Sequence, residues 1–129
     1  MTKTDPIIAV KDVEASAKWY VQLLGAKRTH GGSEFAVLES AEHEVLLCLH
    51  KWGEHDHPTM QDASIKPGNG LILYFRTDKM GEIRENAGGM NCVIAEDVHQ
   101  NTNSLRMEFS LRDPDGYFLI ISDFHTYDG

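Results

Sequence analysis

Three histidines crowd one short stretch of the chain: His50, His55 and His57, with Asp56 between the last two. Imidazole nitrogens beside a carboxylate are metal-ligand chemistry, and His-x-His is a recognised ligand spacing. A second reading competes. Glu54, Asp56 and Pro58 are interleaved with the histidines, as in an exposed polar loop. No framework that would hold the ligands rigid is visible, so no metal is expected there. Trp52, next door, offers a ring for stacking on a planar or cationic ligand. It suits a core or dimer-interface position equally well. Glu108 and Arg76 supply an acid and a cation, as ligand contacts or as a solvated ion pair. Cys48 and Cys92 lie in the apolar runs Leu46-Leu47-Cys48-Leu49 and Cys92-Val93-Ile94 and read as reduced, buried small side chains. A zinc pair or a catalytic thiol would need close partners that the sequence does not supply. There is no Gly-x-Ser-x-Gly, no phosphate loop and no Gly-x-Gly-x-x-Gly after a strand.

The elements that must position these groups follow from periodicity. Pro6 to Val10 is a short β-branched apolar run and predicts a strand. Asp12 is placed as a helix N-cap, with Glu14 in the first turn. Val13, Ala17, Tyr20 and Leu24 recur at helical spacing up to Gly25, widened by Trp19 and Val21, so Asp12 to Leu24 is one amphipathic helix. Strands are expected at Ala26 to Thr29, Glu34 to Leu38 and Val45 to Leu49. Lys51 to Asn69 is a polar loop, long enough to be functional or mobile. The order then restarts, with a strand at Leu71 to Arg76 and a short helix opened by Asp78 and ended by Gly88-Gly89. Strands at Met90 to Ala95, Leu105 to Arg112 and Tyr117 to Asp123 complete it. Asp113-Pro114-Asp115-Gly116 is a tight turn joining the last two. Strand, helix, three strands, twice over, is a twofold repeat of element order.

The chain of 129 residues carries a net charge of −8 and 41% hydrophobic residues. That fits one compact domain or two small halves. The acidic balance argues against a nucleic-acid partner. No apolar run approaches the roughly 18 residues that span a membrane, and no signal-peptide stretch opens the sequence. The expectation is a cytoplasmic protein with neither nucleic acid nor membrane as partner.

Val10-Lys11-Asp12-Val13-Glu14-Ala15-Ser16, followed by Trp19-Tyr20 and Leu24-Gly25, forms one motif. Glu108-Phe109-Ser110-Leu111-Arg112 running into Asp113-Pro114-Asp115-Gly116-Tyr117 forms another. In order, these resemble the opening and closing signatures of the glyoxalase/bleomycin-resistance (vicinal oxygen chelate) superfamily, from Asp5 to Phe124. The resemblance implies an α+β fold of two tandem βαβββ modules forming an open, curved mixed β-sheet half-barrel. The modules would be residues 5–57, with a loop to 69, and 70–124. Enzymes of that family hold one divalent metal through side chains on four strands. Carried over one by one, those positions fall on Asp5, Leu47, Ile72 and Ile120. Leucine and isoleucine cannot ligate a metal. A slip to Leu46, Cys48, Leu71, Leu73, Leu119 or Ile121 would not rescue the site. The resemblance therefore points to the metal-free branch typified by bleomycin-binding resistance proteins, which are dimers that sequester a drug in a groove between subunits.

Alternation along strands then selects the lining. With Leu47, Ile72 and Ile120 facing inward, Leu49, Tyr74, Arg76, Phe118 and Ser122 share that face. Met107, Phe109 and Leu111 should pack on a helix, and Glu108, Ser110 and Arg112 should face the cavity. A register error of one residue would exchange the two sets. The expected ligand-binding residues are Leu47, Leu49, Trp52, Ile72, Tyr74, Arg76, Glu108, Ser110, Phe118 and Ile120, with no catalytic residue, metal or cofactor. The expected activity is binding of a small organic molecule, with antibiotic (bleomycin-like) sequestration as its example, in a homodimer. Two alternatives stay open. One is an enzyme, either a metal-dependent glyoxalase, lyase or dioxygenase type with ligands displaced to Asp5 and the histidine loop, or one acting by acid-base chemistry through Glu108. The other is a structural homodimer.

Overall fold

The computed structural model describes residues 1–126. The chain divides into two units, Met1–Pro67 and Gly68–Gly129. The first runs β1 (Ile7–Val10), α1 (Val13–Leu24), β2 (Lys27–Gly31), β3 (Phe35–Glu39) and β4 (Val45–Lys51). Its sheet has the order β1-β4-β3-β2. β1 runs parallel to β4, and the other neighbours are antiparallel. The second unit repeats the plan with β5 (Leu73–Thr77), α2 (Met80–Gly89), β6 (Val93–Gln100), β7 (Met107–Arg112) and β8 (Phe118–Asp123). Its order is β5-β8-β7-β6, again with one parallel pair, β5 with β8. Each unit is thus an open four-stranded mixed sheet with one helix, the two-module architecture that the motifs implied.

The caps of α1 explain its limits. The Asp12 carboxylate accepts the Ala15 N–H at 3.0 Å, satisfying one of the free donors of the first turn. Gly25 ends the helix with φ 69°, and its N–H donates to the Val21 carbonyl. The buried stripe is Val13, Ser16, Ala17, Tyr20 and Leu23. It ends on Leu23 rather than the expected Leu24, because spacing of three rather than four from Tyr20 keeps the last turn over the sheet. α2 is weaker. It starts at Met80 with no side-chain cap and buries only Ile83 and Ala87. Arg84 ties it to β6 through a two-pronged pair with Asp97, Nε and a terminal nitrogen donating at 2.8 and 3.0 Å. That pairing, with the Val98 N–H second, holds the Asp97 carboxyl well below the usual range.

β6 runs to Gln100, well past the Ala95 expected from the sequence. Its register against β7 shifts twice, between Ile94 and Glu96 and between Glu96 and His99. These irregularities break the alternation that sequence patterning relies on.

Candidate functional site

Each sheet has a face covered by its helix and an open face, and cross-strand register assigns residues to them. In the first unit Ile8, Leu49 and Ala36 align across three strands, with Leu47 opposite Leu38. These side chains are at most 3% exposed. Arg28 pairs with Leu38 and bonds Glu14 of α1 at 2.7 Å, which places this set on the helix side. Leu47 and Leu49 therefore sit under α1 and do not line the open face, in contrast to the lining expected for them. The cause is the one-residue parity of strands, which turns Leu47 and Leu49 to the helix and Cys48 and His50 to the other face. The open face instead carries Ile7, Ala9, Cys48, His50, Val37 and Phe35, aligned as Ile7–Cys48–Val37 and Ala9–His50–Phe35. Burial, and secondarily the Asp5 charge, push the Cys48 thiol up, so it is held as a neutral thiol.

In the second unit Leu73, Leu119 and Leu111 form one row of the helix side, and Phe75, Ile121 and Phe109 another. Arg84 of α2 lies 5.9 Å from the Phe109 ring centre, on this side. The open face holds two informative rows. One is Arg76–Ser122–Glu108–His99 and the next is Tyr74–Ile120–Ser110–Glu96. Phe118 stands opposite Arg112, whose guanidinium lies 5.0 Å from its ring centre. Ile72 precedes β5 and is 55% exposed.

Glu108 and Ser110 are both buried, a combination that requires partners. The Glu108 carboxylate accepts the Asn101 side-chain N–H at 2.8 Å and lies 3.6 Å from His99 Nε2. Arg76 donates to the His125 carbonyl and lies 5.4 Å from the Phe124 ring centre, while Tyr74 meets the His125 ring edge-on at 6.2 Å. Sequence reasoning missed His99 and Asn101 as companions of Glu108, because the double shift in β6 hides which of its residues face β7.

Trp52 is half-buried after β4, its backbone N–H donating to the Val10 carbonyl. Beyond it the expected loop holds two 3-10 turns, Glu54–Asp56 and Pro58–Met60. The Gly53 N–H donates to the Met60 carbonyl at 2.7 Å, the Met60 N–H to the His57 carbonyl at 3.0 Å, and Met60 is buried. A framework therefore exists where none was visible in the sequence. It brings His50, His55 and His57 together, one ligand nitrogen from each lying within 4.8 Å of the others. His50 is 3% exposed, and its Nε2 has no hydrogen-bond partner. Leaving a buried polar atom unpaired costs about 1–3 kcal/mol.

The strand positions of the family's metal do not fit such an ion. Asp5 is exposed, Leu47 lies under the helix, and Ile72 and Ile120 carry no donor. Among the described residues, no group of three donors that includes any of these positions comes together. A surface groove of about 410 Å³ lies elsewhere, lined by α1 and Arg28. Its Arg28 is already bound to Glu14.

A family model described as Glyoxalase/Bleomycin resistance protein/Dioxygenase superfamily matches residues 4–121. No curated protein matches the chain. Among solved structures, a protein from the mobile metagenome of V. Pseudocholerae is 25% identical, with a TM-score of 0.72 over 98% of this chain and 97% of that one. A bleomycin resistance determinant encoded on the transposon Tn5 is 16% identical, with a TM-score of 0.70 over 98% and 100%. A lactoylglutathione lyase from Agrobacterium tumefaciens is 13% identical, with a TM-score of 0.69 over 95% and 92%.

Proposed function

The chain belongs to the glyoxalase/bleomycin resistance protein/dioxygenase superfamily, and on that premise we propose that it binds a small organic molecule on the open face of its second sheet, without a metal at the family's strand positions. One observation carries the reading: the in-register polar row Arg76–Ser122–Glu108–His99, with Ile120 in the next row and Phe118 beyond it. A buried carboxylate beside aromatic and aliphatic surface suits a ligand that is cationic at one end and planar at the other. Tyr74 and Ser110 add hydrogen-bonding points on the same face. Leu47 and Leu49 contribute by backing the sheet. Sequestration by mass action suffices, with antibiotic capture as the example that the resistance-determinant likeness suggests. A cytoplasmic homodimer is part of the same reading.

The test is a thermal-shift series on untagged chain with bleomycin and a panel of cationic aromatic compounds. A ligand present at about 100 times its Kd adds about 2.7 kcal/mol of stability. Glu108→Gln should abolish the shift. A panel with no shift, or equal shifts in wild type, Glu108→Gln and Tyr74→Ala, would sink the proposal. The three-histidine group favours a second reading, an enzyme of lyase or dioxygenase type with displaced ligands. Metal-dependent turnover of a hemithioacetal or catechol would select it.

A further inference from the structure

We propose that His50, His55 and His57 form a binding site for one divalent transition-metal ion of the zinc class, built on the end of β4 and the 3-10 turn that follows. The site uses none of the strand positions of the family's metal and is independent of whether the sheet face binds a ligand.

Tautomers favour it. His50 Nδ1 is 2.8 Å from the Lys51 carbonyl, which can only accept, so Nδ1 carries the proton. Nε2 is left with its lone pair, buried and unpartnered. The ring stands edge-on to His55 and His57, with centres 5.1 and 4.9 Å away. His55 repeats the logic. Its Nε2 is 3.3 Å from a Glu34 carboxylate oxygen, leaving Nδ1 for the cluster. A ligand histidine whose other nitrogen donates to a carboxylate or a backbone carbonyl is the usual support of a metal-bound imidazole. Two of the three rings have such support, one of each kind.

The distances are within reach. Ligands at roughly 2.0–2.1 Å in a tetrahedron stand about 3.3 Å apart. The nitrogens here lie within 4.8 Å. His55 and His57 are exposed and have room to turn inward, while His50 stays fixed by its backbone bond and by Phe35, whose ring meets it edge-on. Three imidazoles suit zinc, nickel or copper, and exclude magnesium and calcium, which demand oxygen. A fourth position stays open to water or to an incoming donor.

The experiment uses chelator-treated, untagged chain titrated with Zn²⁺ by calorimetry, and with Co²⁺ by visible absorption. One ion should bind per chain, and Co²⁺ should develop the intense bands of a four-coordinate site. His55→Gln and His57→Gln, both at exposed positions, should keep the metal-free melting temperature and lower affinity by more than about 100-fold, beyond the loss from an outer partner alone. Glu34→Gln, which removes the carboxylate beside the His55 ring, should lower it by about 10-fold. Zn²⁺ binding of equal strength in the wild type and the double variant His55→Gln/His57→Gln overturns the proposal. So does a wild type that gives no Co²⁺ bands.

Discussion

Truncating Leu49 and Ile72 in turn separates the two faces of the sheets. Both were expected on one ligand-facing surface, yet Leu49 is 0% exposed beneath α1 and Ile72 is 55% exposed. Leu49→Ala removes a fully buried side chain. The transfer contribution is about 1.5–3 kcal/mol. The cavity left between Ile8, Ala36 and α1 raises the total to about 3–4 kcal/mol. Ile72→Ala removes a side chain that water already reaches, at a cost below about 1 kcal/mol. For 129 residues unfolding together, the unfolding entropy is about 0.27 kcal/mol per kelvin. Leu49→Ala should therefore lower Tm by roughly 11–15 °C, and Ile72→Ala by less than about 4 °C. Urea titration supplies the free energies and calorimetry the temperatures. Equal losses in the two variants, or a Leu49→Ala loss under about 1 kcal/mol, would refute the face assignment.

Three further outcomes are expected. Gly31 has φ 107°, and a Cβ there would stand 1.8 Å from the Phe35 carbonyl oxygen; Gly31→Ala should cost more than about 2 kcal/mol in urea, against about 1 for Gly25→Ala, where φ is 69° and nothing lies within 4 Å. Asp97 is held below its ordinary 3.8 by Arg84, so the associated stability is present above that pH and drains as acid is added; Arg84→Gln should flatten the dependence of Tm on pH in that range, and an unchanged profile would contradict it. Cys48 is pushed above 9.0 by burial, so it favours the folded state only while protonated, and that stability is lost as pH rises past about 9; a thiol reagent at neutral pH should label it only on unfolding, and fast labelling of folded chain would count against its burial.

Local chemistry made the architecture readable. Asp12, Gly25 and the Asp113-Pro114-Asp115-Gly116 turn each act within a few residues, and the structure keeps all three in their expected roles. The Asp113 carboxylate accepts the Asp115 and Tyr117 N–H groups at 2.9 Å, and Gly116 takes a positive φ of 93°. Face assignment was harder, since every strand position is decided by parity. In the second unit the alternation of Glu108 with Phe109 and Ser110 with Leu111 is strong enough to fix it. In β4 the run Leu46-Leu47-Cys48-Leu49 is apolar on both sides and carries no such signal. The histidine group was legible as composition but not as geometry. Its support comes from the Lys51 carbonyl, from Glu34 on the far side of a hairpin and from the Gly53–Met60 closure, none of which leaves a mark on spacing.

The parallel closure of each sheet has a consequence during synthesis. β1 is an edge strand whose one neighbour is β4, with Ile7 opposite Cys48. When β1 leaves the ribosome, its apolar Ile-Ile-Ala-Val run has no partner until about 40 more residues have been made. At roughly 5–20 residues per second that is a wait on the order of 2–8 s. The antiparallel strands β2, β3 and β4 can pair as they emerge, so the oldest strand joins last. The same delay recurs when β5 waits for β8, with Leu73 opposite Leu119. Nascent chains halted just before and just after β4 should therefore differ sharply in their hold on a chaperone.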